Sequence, residues 1–245
     1  MKSSLTIAGS DPSGGAGVQS DIATFRAFGV NALSAITAIT AQNGEKVFAV
    51  EPVSPRLLTR QVTVLLDAFD IRSVKIGMLG SVANATAVER LIKKTALENV
   101  VLDTVLSSSG GHPLIGKNGV EAIIRLIPLC RIVTPNLAEA SRLTGMKVDD
   151  EGSMERAALL LHSMGAPFVL VKGGHLKGAP TDLLYDGRVF LRFAGARVNG
   201  GEKRTHGTGC MLSAGIAAGL AKGRGVKRAV EDAKAFVEES LKGRR

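Results

Sequence analysis

Tryptophan is absent from this chain, tyrosine occurs once, and aromatic residues make up only 4% of it. Proteins that grip single-stranded nucleic acid by stacking bases need such rings, so that class has little to build on. Cysteine occurs twice, too seldom for a disulfide scaffold, and Cys130 and Cys210 are read as free thiols of a reducing, cytoplasmic compartment. No apolar run approaches the roughly 20 residues that a membrane-spanning helix takes. The start, Met1-Lys2-Ser3-Ser4-Leu5, reaches Gly9, Asp11 and Pro12 without the apolar stretch and small-residue cleavage site of a secretory signal. Acidic residues are outnumbered, 22 against 31 basic, a formal charge of +9. One reading of the excess is a polyanionic partner. The other is a basic surface, since Lys222, Arg224, Lys227, Arg228, Lys242, Arg244 and Arg245 are interleaved with Glu231, Asp232, Glu238 and Glu239. The second is adopted here, with neither nucleic acid nor membrane as partner.

What is present is an ordinary globular composition, 45% apolar and 22% charged. With no linker, repeat or low-complexity tract, residues 1–245 are expected to form one domain. Short runs rich in Val and Ile predict strands at Leu5–Ala8, Leu33–Thr40, Val74–Met78, Val100–Thr104, Ile132–Pro135 and Phe168–Lys172. They do not alternate apolar with polar, which predicts burial on both faces and a parallel sheet. Amphipathic stretches lie between them. Ser54 before Pro55 and Ser81 before Val82 are N-cap signals, and a helix is predicted over Glu155 to Met164, stopped by Gly165. The strand–helix alternation predicts a doubly wound α/β fold with a mostly parallel sheet flanked by helices. Near the end the order changes to a β-hairpin, Leu183–Tyr185 and Val189–Phe193 about Asp186-Gly187, and then to helices over Gly207–Lys222 and Val226–Leu241.

In such sheets ligands bind beyond the carboxyl ends of the strands, and several unusual segments fall there. Gly9 to Gly17 follows the first strand, with Gln19 and Asp21 on the helix after it. Its glycines admit close approach of a small ligand, although a plain strand-to-helix loop would look similar. Gln42, in Thr40-Ala41-Gln42-Asn43-Gly44, has an amide that donates and accepts at once, suited to an amine-bearing heteroaromatic ring; a simple Asn-Gly turn is the alternative. Asp103 ends one strand, and Asn136 with Glu139 follows another. Carboxylates there suit Mg²⁺, while Asn-x-x-Glu also has the form of a capping box. Thr205-His206-Gly207-Thr208-Gly209-Cys210 opens a helix, where successive backbone N–H groups and the helix dipole make an anion hole. The same position is expected to lower the Cys210 pKa; His206 is read as a loop histidine. Lys172, in Lys172-Gly173-Gly174-His175, ends another strand within reach of phosphate charge. Cys130, set among apolar residues, is read as a core thiol.

In these segments the chain resembles the hydroxymethylpyrimidine/phosphomethylpyrimidine kinases of thiamin biosynthesis, in the ribokinase superfamily. The matching stretches are Thr6-Ile7-Ala8-Gly9 through Gly17, Thr40-Ala41-Gln42-Asn43, Lys75-Ile76-Gly77-Met78-Leu79, Val100 to Val105, Thr134-Pro135-Asn136-Leu137 with Glu139, Val171 to His175, and Thr205 to Cys210. They follow the family's order along nearly the whole chain. The resemblance implies a ribokinase-like fold and ATP-dependent phosphorylation of 4-amino-5-hydroxymethyl-2-methylpyrimidine and then of its monophosphate, in the cytoplasm and by a homodimer. It implies Gly9, Asp21, Gln42, Met78 and Val105 around the pyrimidine. Gly207, Thr208 and Gly209 would form the anion hole, with Cys210 where sugar kinases of the superfamily carry an aspartate base. Lys172, Asn136 and Thr205 would serve the nucleotide, and Asp103 and Glu139 the Mg²⁺. A His-bearing, Gly-Pro-containing tail that the family often carries has no counterpart after Gly243-Arg244-Arg245, so any part it plays in the second phosphorylation is expected to be absent or replaced. Ser107-Ser108-Ser109-Gly110-Gly111 is richer in serine and glycine than the family's usual loop. Pyridoxal kinase is the nearest competing activity, and a non-catalytic ligand-binding regulatory protein the competitor from another class.

Overall fold

The structure, a computed structural model, describes residues 2–43, 46–95, 97–108, 110–174, 176, 180–195 and 207–243. The first strand, β1 (Ser3–Ser10), carries Leu5, Ile7 and Ala8 wholly buried, and its polar Ser3, Ser4 and Thr6 are buried as well. Such a strand is stable only at the centre of a sheet with its hydroxyls satisfied, and the Ser4 hydroxyl lies 2.8 Å from that of Ser73 on a neighbouring strand. Helix α1 (Gly17–Ala27) leads to β2 (Asn31–Gln42), which is followed by β3 (Val47–Pro52). Then come α2 (Pro55–Ala68), β4 (Ile71–Ile76), α3 (Val82–Lys94), β5 (Val100–Leu102), α4 (Gly119–Ile124), β6 (Ile132–Val133), α5 (Leu137–Thr144), α6 (Glu151–Ser163) and β7 (Phe168–Val171). The chain continues through the hairpin β8 (Thr181–Tyr185) and β9 (Phe190–Ala194) to α7 (Thr208–Ala221) and α8 (Val226–Gly243).

These strands form one nine-stranded sheet in the order β3-β2-β1-β4-β5-β6-β7-β8-β9. Strands β2, β1, β4, β5, β6 and β7 run parallel, while β3, β8 and β9 are antiparallel to their neighbours. The fold is the expected α/β architecture. The chain leaves β1 toward β2 on one side and returns to β4 on the other, so the topological switch point lies between β1 and β4. One core packs α2 to α6 on one face of the sheet, around Leu58, Val88, Ile123 and Leu161. The other packs α1, α7 and α8 on the opposite face, around Phe25, Ile216 and Val230.

The capping signals act as expected. The Ser54 hydroxyl accepts from the Leu57 amide and that of Ser81 from the Asn84 amide. In the hairpin turn Asp186 Oδ1 accepts the Arg188 and Val189 amides. Two expectations need correction. Helix α6 begins at Glu151, a turn earlier than Glu155, because Asp150 and Ser153 form a reciprocal capping box. The antiparallel edge strand β3 is not among the predicted strands. Two of the cations near the C-terminus, Arg224 and Arg228, pair with Asp232 and Glu231.

Helix α7 is the one element of the second layer without a polar face. Met211 through Ala221 are all buried. Small residues make this possible: a methyl group on Gly215 would lie 2.8 Å from the Ala233 Cβ, and one on Gly219 2.9 Å from the Ala229 Cβ. Helices α7 and α8 therefore pack backbone to backbone, and that fixes where the amino end of α7 points.

Candidate active site

The carboxyl end of β1 runs into a loop that its own side chains organise. Asp11 is buried, with Oδ1 accepting the Ser13 amide and hydroxyl and Oδ2 accepting the Ala16 amide. Gln19 on α1 accepts the Asp11 amide at 2.9 Å and donates to the Ser10 hydroxyl at 2.8 Å. The loop is thus preformed. On its inner side a Cβ at Gly9 would overlap the Met78 methyl, which places these two expected pyrimidine neighbours in contact at the switch point. Thr37 on β2 donates to the Met78 carbonyl at 2.6 Å, and the buried Asn84 donates to the Thr37 and Leu79 carbonyls, so the exit from β4 is held in place. Gln42 closes β2 opposite Val47, with its side chain partly exposed. Val105 is partly exposed just past β5, its amide turned back to the Asp103 carbonyl.

The second glycine-rich segment meets the first. Gly207 caps α7 at φ +80, a left-handed conformation, and a Cβ there would overlap the Gly15 carbonyl. Both reasons require glycine. The first turn of α7 is thereby pressed against the β1 loop, and Thr208, Gly209 and Cys210 follow with helical backbone. A Cβ on Gly209 would lie 3.3 Å from Lys172 Nζ. The ammonium therefore sits beside the backbone donors of the helix start, and an anion held by those donors is within its reach.

Beneath this surface lies a row of buried charges of alternating sign. Asp21 and Lys75 are wholly buried and paired at 2.8 Å, and Thr6 donates to the same Asp21 oxygen, Oδ2, at 2.6 Å. Asp21 Oδ1 has no hydrogen-bond partner, so burial is incompletely compensated and raises its pKa despite Lys75. Burial also works against the charge on Lys75, but Asp21, the Cys210 thiol and Asp103 outweigh it and hold the lysine above its ordinary range. Asp103 follows β5. Its Oδ1 accepts from Lys172 at 2.7 Å and from Thr134 at 3.5 Å, and its Oδ2 from Ser213 at 3.1 Å. Burial would raise this carboxyl, yet Lys172 and Lys75 hold it below its usual range. Lys172 is kept charged in turn, because Asp103 and Glu139 overcome the burial penalty.

Glu139 ends the row. With Asn136 it forms a full capping box at the start of α5, each side chain accepting the other's backbone N–H at 2.9 Å, and Thr104 donates to it at 3.0 Å. Burial pushes its carboxyl up to about 7, with Lys172 opposing. The capping and ligand readings of this pair thus coexist: the carboxylate is buried, incompletely neutralised and at the strand edge. Mg²⁺ is commonly held by one or two carboxylates together with substrate phosphates, and the donor chemistry of Glu139 fits that use. Among the described residues no cluster of three or more His, Cys, Asp or Glu side chains could hold a metal alone.

Three expectations change. Asp103, expected as a metal ligand, is instead the counter-ion of Lys172, with both oxygens engaged. Asp21, expected around the pyrimidine, is sealed from solvent and turned toward Lys75 and Thr6. The Cys210 thiol is not lowered: burial pushes it up to about 11, with Lys75 and the Gly17 amide only partly offsetting burial, Asp103 and Asp21. The buried Cys130 thiol is raised by burial, as a core thiol should be. Thr205, His206, His175 and Gly44 lie outside the described residues. Lys75 is the functional candidate that residue-by-residue reading passed over; its sequence signal is a lysine inside an apolar strand, followed by a glycine whose Cβ would lie 2.7 Å from Lys75 Nζ.

Residues 11–245 match the family profile described as phosphomethylpyrimidine kinase. The hydroxymethylpyrimidine/phosphomethylpyrimidine kinase of Rhizobium meliloti is 44% identical over 240 residues, covering 97% of this chain and 89% of that protein. The crystal structure of the phosphomethylpyrimidine kinase from Clostridium difficile 630 superposes with a TM-score of 0.87 at 37% identity, over 98% of this chain and 100% of that one. The pyridoxal kinase of Bacillus subtilis, solved as an ADP complex, superposes with a TM-score of 0.88 at 36% identity, over 96% of this chain and 90% of that one.

Proposed function

This chain belongs to the phosphomethylpyrimidine kinase family, and from that membership and its site we propose that it transfers the γ-phosphoryl group of ATP to 4-amino-5-hydroxymethyl-2-methylpyrimidine and then to the monophosphate, in thiamin biosynthesis. The observation that carries the reading is the Lys172 ammonium lying beside Gly209, where the backbone donors of the α7 start converge. In the first transfer the substrate hydroxyl oxygen bonds to the γ-phosphorus as the bond to the ADP oxygen breaks, and the hydroxyl proton leaves. Such transfer is mostly positioning and charge neutralisation, which the Gly207–Gly209 amides and Lys172 supply.

Gly9, Met78, Gln42 and Val105 border the pyrimidine in this reading, and Asp21 supports the pocket from below through Lys75. Asn136 and Thr205 serve the nucleotide. Mg²⁺, when bound, shields the charge of the transferring phosphates, and Glu139 is the residue that would hold it. Cys210 can take the departing proton only in its thiolate form. With its thiol near 11, the thiolate is a minor species at neutral pH, so its share of the rate is small compared with that of the amides. We read residues 1–245 as one kinase domain acting in the cytoplasm, in keeping with free thiols at Cys130 and Cys210. We further propose a homodimer joined through the sheet edge, where Ile39 on β2 and Phe48 on β3 are 59% and 63% exposed.

The test is ATP consumption with Mg²⁺ and the aminopyrimidine alcohol, with products resolved by mass. A diphosphate product is the expected outcome, and a monophosphate alone limits the enzyme to the first step. Turnover on pyridoxal in place of the pyrimidine would overturn the reading in favour of the activity named for the Bacillus subtilis neighbour.

A further inference from the structure

The reading of Lys172 as the nucleotide-facing cation leaves open what holds it there. Its backbone is anchored on one side, where the Lys172 amide donates to the Pro135 carbonyl at 2.8 Å. On the other side the next residue, Gly173, donates its amide to Asp182 Oδ1 at 2.9 Å. The fit is tight enough that a Cβ on Gly173 would overlap the Thr181 carbonyl. Asp182 belongs to β8, and its second oxygen accepts from Lys234 of α8 at 2.7 Å. Lys234 also donates to the Phe193 carbonyl of β9 at 2.6 Å. Both charged side chains are only 13% exposed, so the pair is much less screened than a surface bridge.

We propose that Asp182 and Lys234 are positioning residues for the nucleotide: they form a charged strut from α8 through β8 to the Gly173 amide, and so hold Lys172 against the α7 start. The inference rests on the proposed role of Lys172, and it assigns function to residues that lie behind the strand edge rather than in the site. Geometry makes the coupling direct. The strut grips the residue next to Lys172, at the point where the chain leaves β7, and the Lys172 ammonium itself is held by its bond to Asp103. Removing the strut frees the backbone, and the ammonium loses its registration with the amides of Gly209 and its neighbours. The pyrimidine neighbours Gly9 and Met78 lie on β1 and just past β4, strands that stand well away from β8 in the sheet order, so the effect should fall on the nucleotide.

The experiment is steady-state kinetics of the full chain with ATP and the pyrimidine varied separately, on Asp182→Ala, Asp182→Asn, Lys234→Met and Lys172→Met. Removal of an orienting group behind a functional one costs about tenfold to a hundredfold, and Asp182→Ala is expected to raise the KM for ATP by about tenfold with the KM for the pyrimidine unchanged. Asp182→Asn keeps an acceptor for the Gly173 amide and should restore most of the ATP affinity; Lys234→Met, which leaves Gly173 bonded, should fall between. Combined with Lys172→Met, Asp182→Ala should add nothing further to the ATP KM. An additive effect in the double variant, or an unchanged ATP KM in folded Asp182→Ala and Lys234→Met, overturns the inference while leaving the kinase reading standing. An unchanged ATP KM in Lys172→Met overturns the role of Lys172 and the strut with it. Should Asp182→Ala not fold, Asp182→Asn and Lys234→Met carry the same comparison.

Discussion

At the scale of single residues, the site divides its labour between backbone and side chain, and substitutions should separate the two. Gly207 is held by positive φ and by the Gly15 carbonyl at once. Gly207→Ala is therefore expected to displace the donors of the α7 start and lower kcat/KM about a hundredfold or more, the scale on which losing one preorganised donor is felt. Cys210→Ala removes a proton acceptor poorly matched to neutral pH and should cost only about tenfold, below the usual range for a well-tuned general base. Parallel kcat/KM measurements on the two variants check both. The thiol itself can be titrated. With its pKa raised to about 11, Cys210 is protonated at pH 7, and since only the thiolate is alkylated, iodoacetamide labelling should accelerate about tenfold per pH unit between 7 and 10. A labelling rate already at its plateau at pH 8 would contradict the raised value.

The residue scale is also where sequence reading reached least far. Gly9, Gly207, Gly209 and Lys172 stand out in the sequence because strand ends and glycine clusters mark the ligand edge of an α/β sheet, whereas Met78 was implied only by the family resemblance. What Asp21 and Asp103 do was not legible, because that depends on partners far along the chain: Lys75 stands 54 residues from Asp21, and Lys172 69 residues from Asp103. A carboxylate at a strand end looks the same whether it awaits a cation or already has a lysine. The Cys210 thiol misled in a similar way, since the helix start is visible in the sequence and the burial around it is not.

At the scale of elements, periodicity and caps carried the prediction. The parallel strands fell where Val and Ile cluster, and α2 and α3 began at Ser54 and Ser81 as their caps require. Strand β3 was passed over although Val47-Phe48-Ala49-Val50 is an apolar run; it is a short antiparallel edge strand, and its ladder with β2 is interrupted by a bulge at Ala41 and Gln42. The Asp21–Lys75 pair ties α1 to β4 through the sheet interior. Removing one partner of such a pair leaves a buried charge alone, so Asp21→Asn or Lys75→Met should each lower unfolding free energy by about 3–5 kcal/mol. The double variant should be less destabilised than the sum, because neither charge is then stranded. Urea unfolding of the four proteins gives the cycle directly.

At the scale of the whole molecule, the sheet is polar at one rim and apolar at one edge. The carboxyl rim gathers the loops after β1, β4, β5, β6 and β7, and the proposed chemistry lies along it. The β2–β3 edge presents Ile39 and Phe48 to solvent, and its substitution should separate assembly from catalysis. Phe48→Glu with Ile39→Lys is expected to convert the proposed dimer to a monomer in sedimentation velocity, with the fold retained in circular dichroism. An unchanged sedimentation coefficient would overturn the proposed dimer edge.

The small-residue seam between α7 and α8 has a further consequence, one of timing. With Gly215 seated on Ala233 and Gly219 on Ala229, the body of α7 has no route to water short of dismantling the second layer, so its amides should be among the last in the molecule to exchange with deuterium. The Met211 amide is already bonded back to the Gly207 carbonyl; the amides ahead of it lie at the helix start, where intrahelical partners run out. One helix thus joins a slow interior to a fast tip, and the tip is where a phosphate would dock. Protection spreading over Gly209 and Cys210 when nucleotide arrives, against an unmoving background from Ala214 to Leu220, would show in hours of exchange what the kinase does in a fraction of a second.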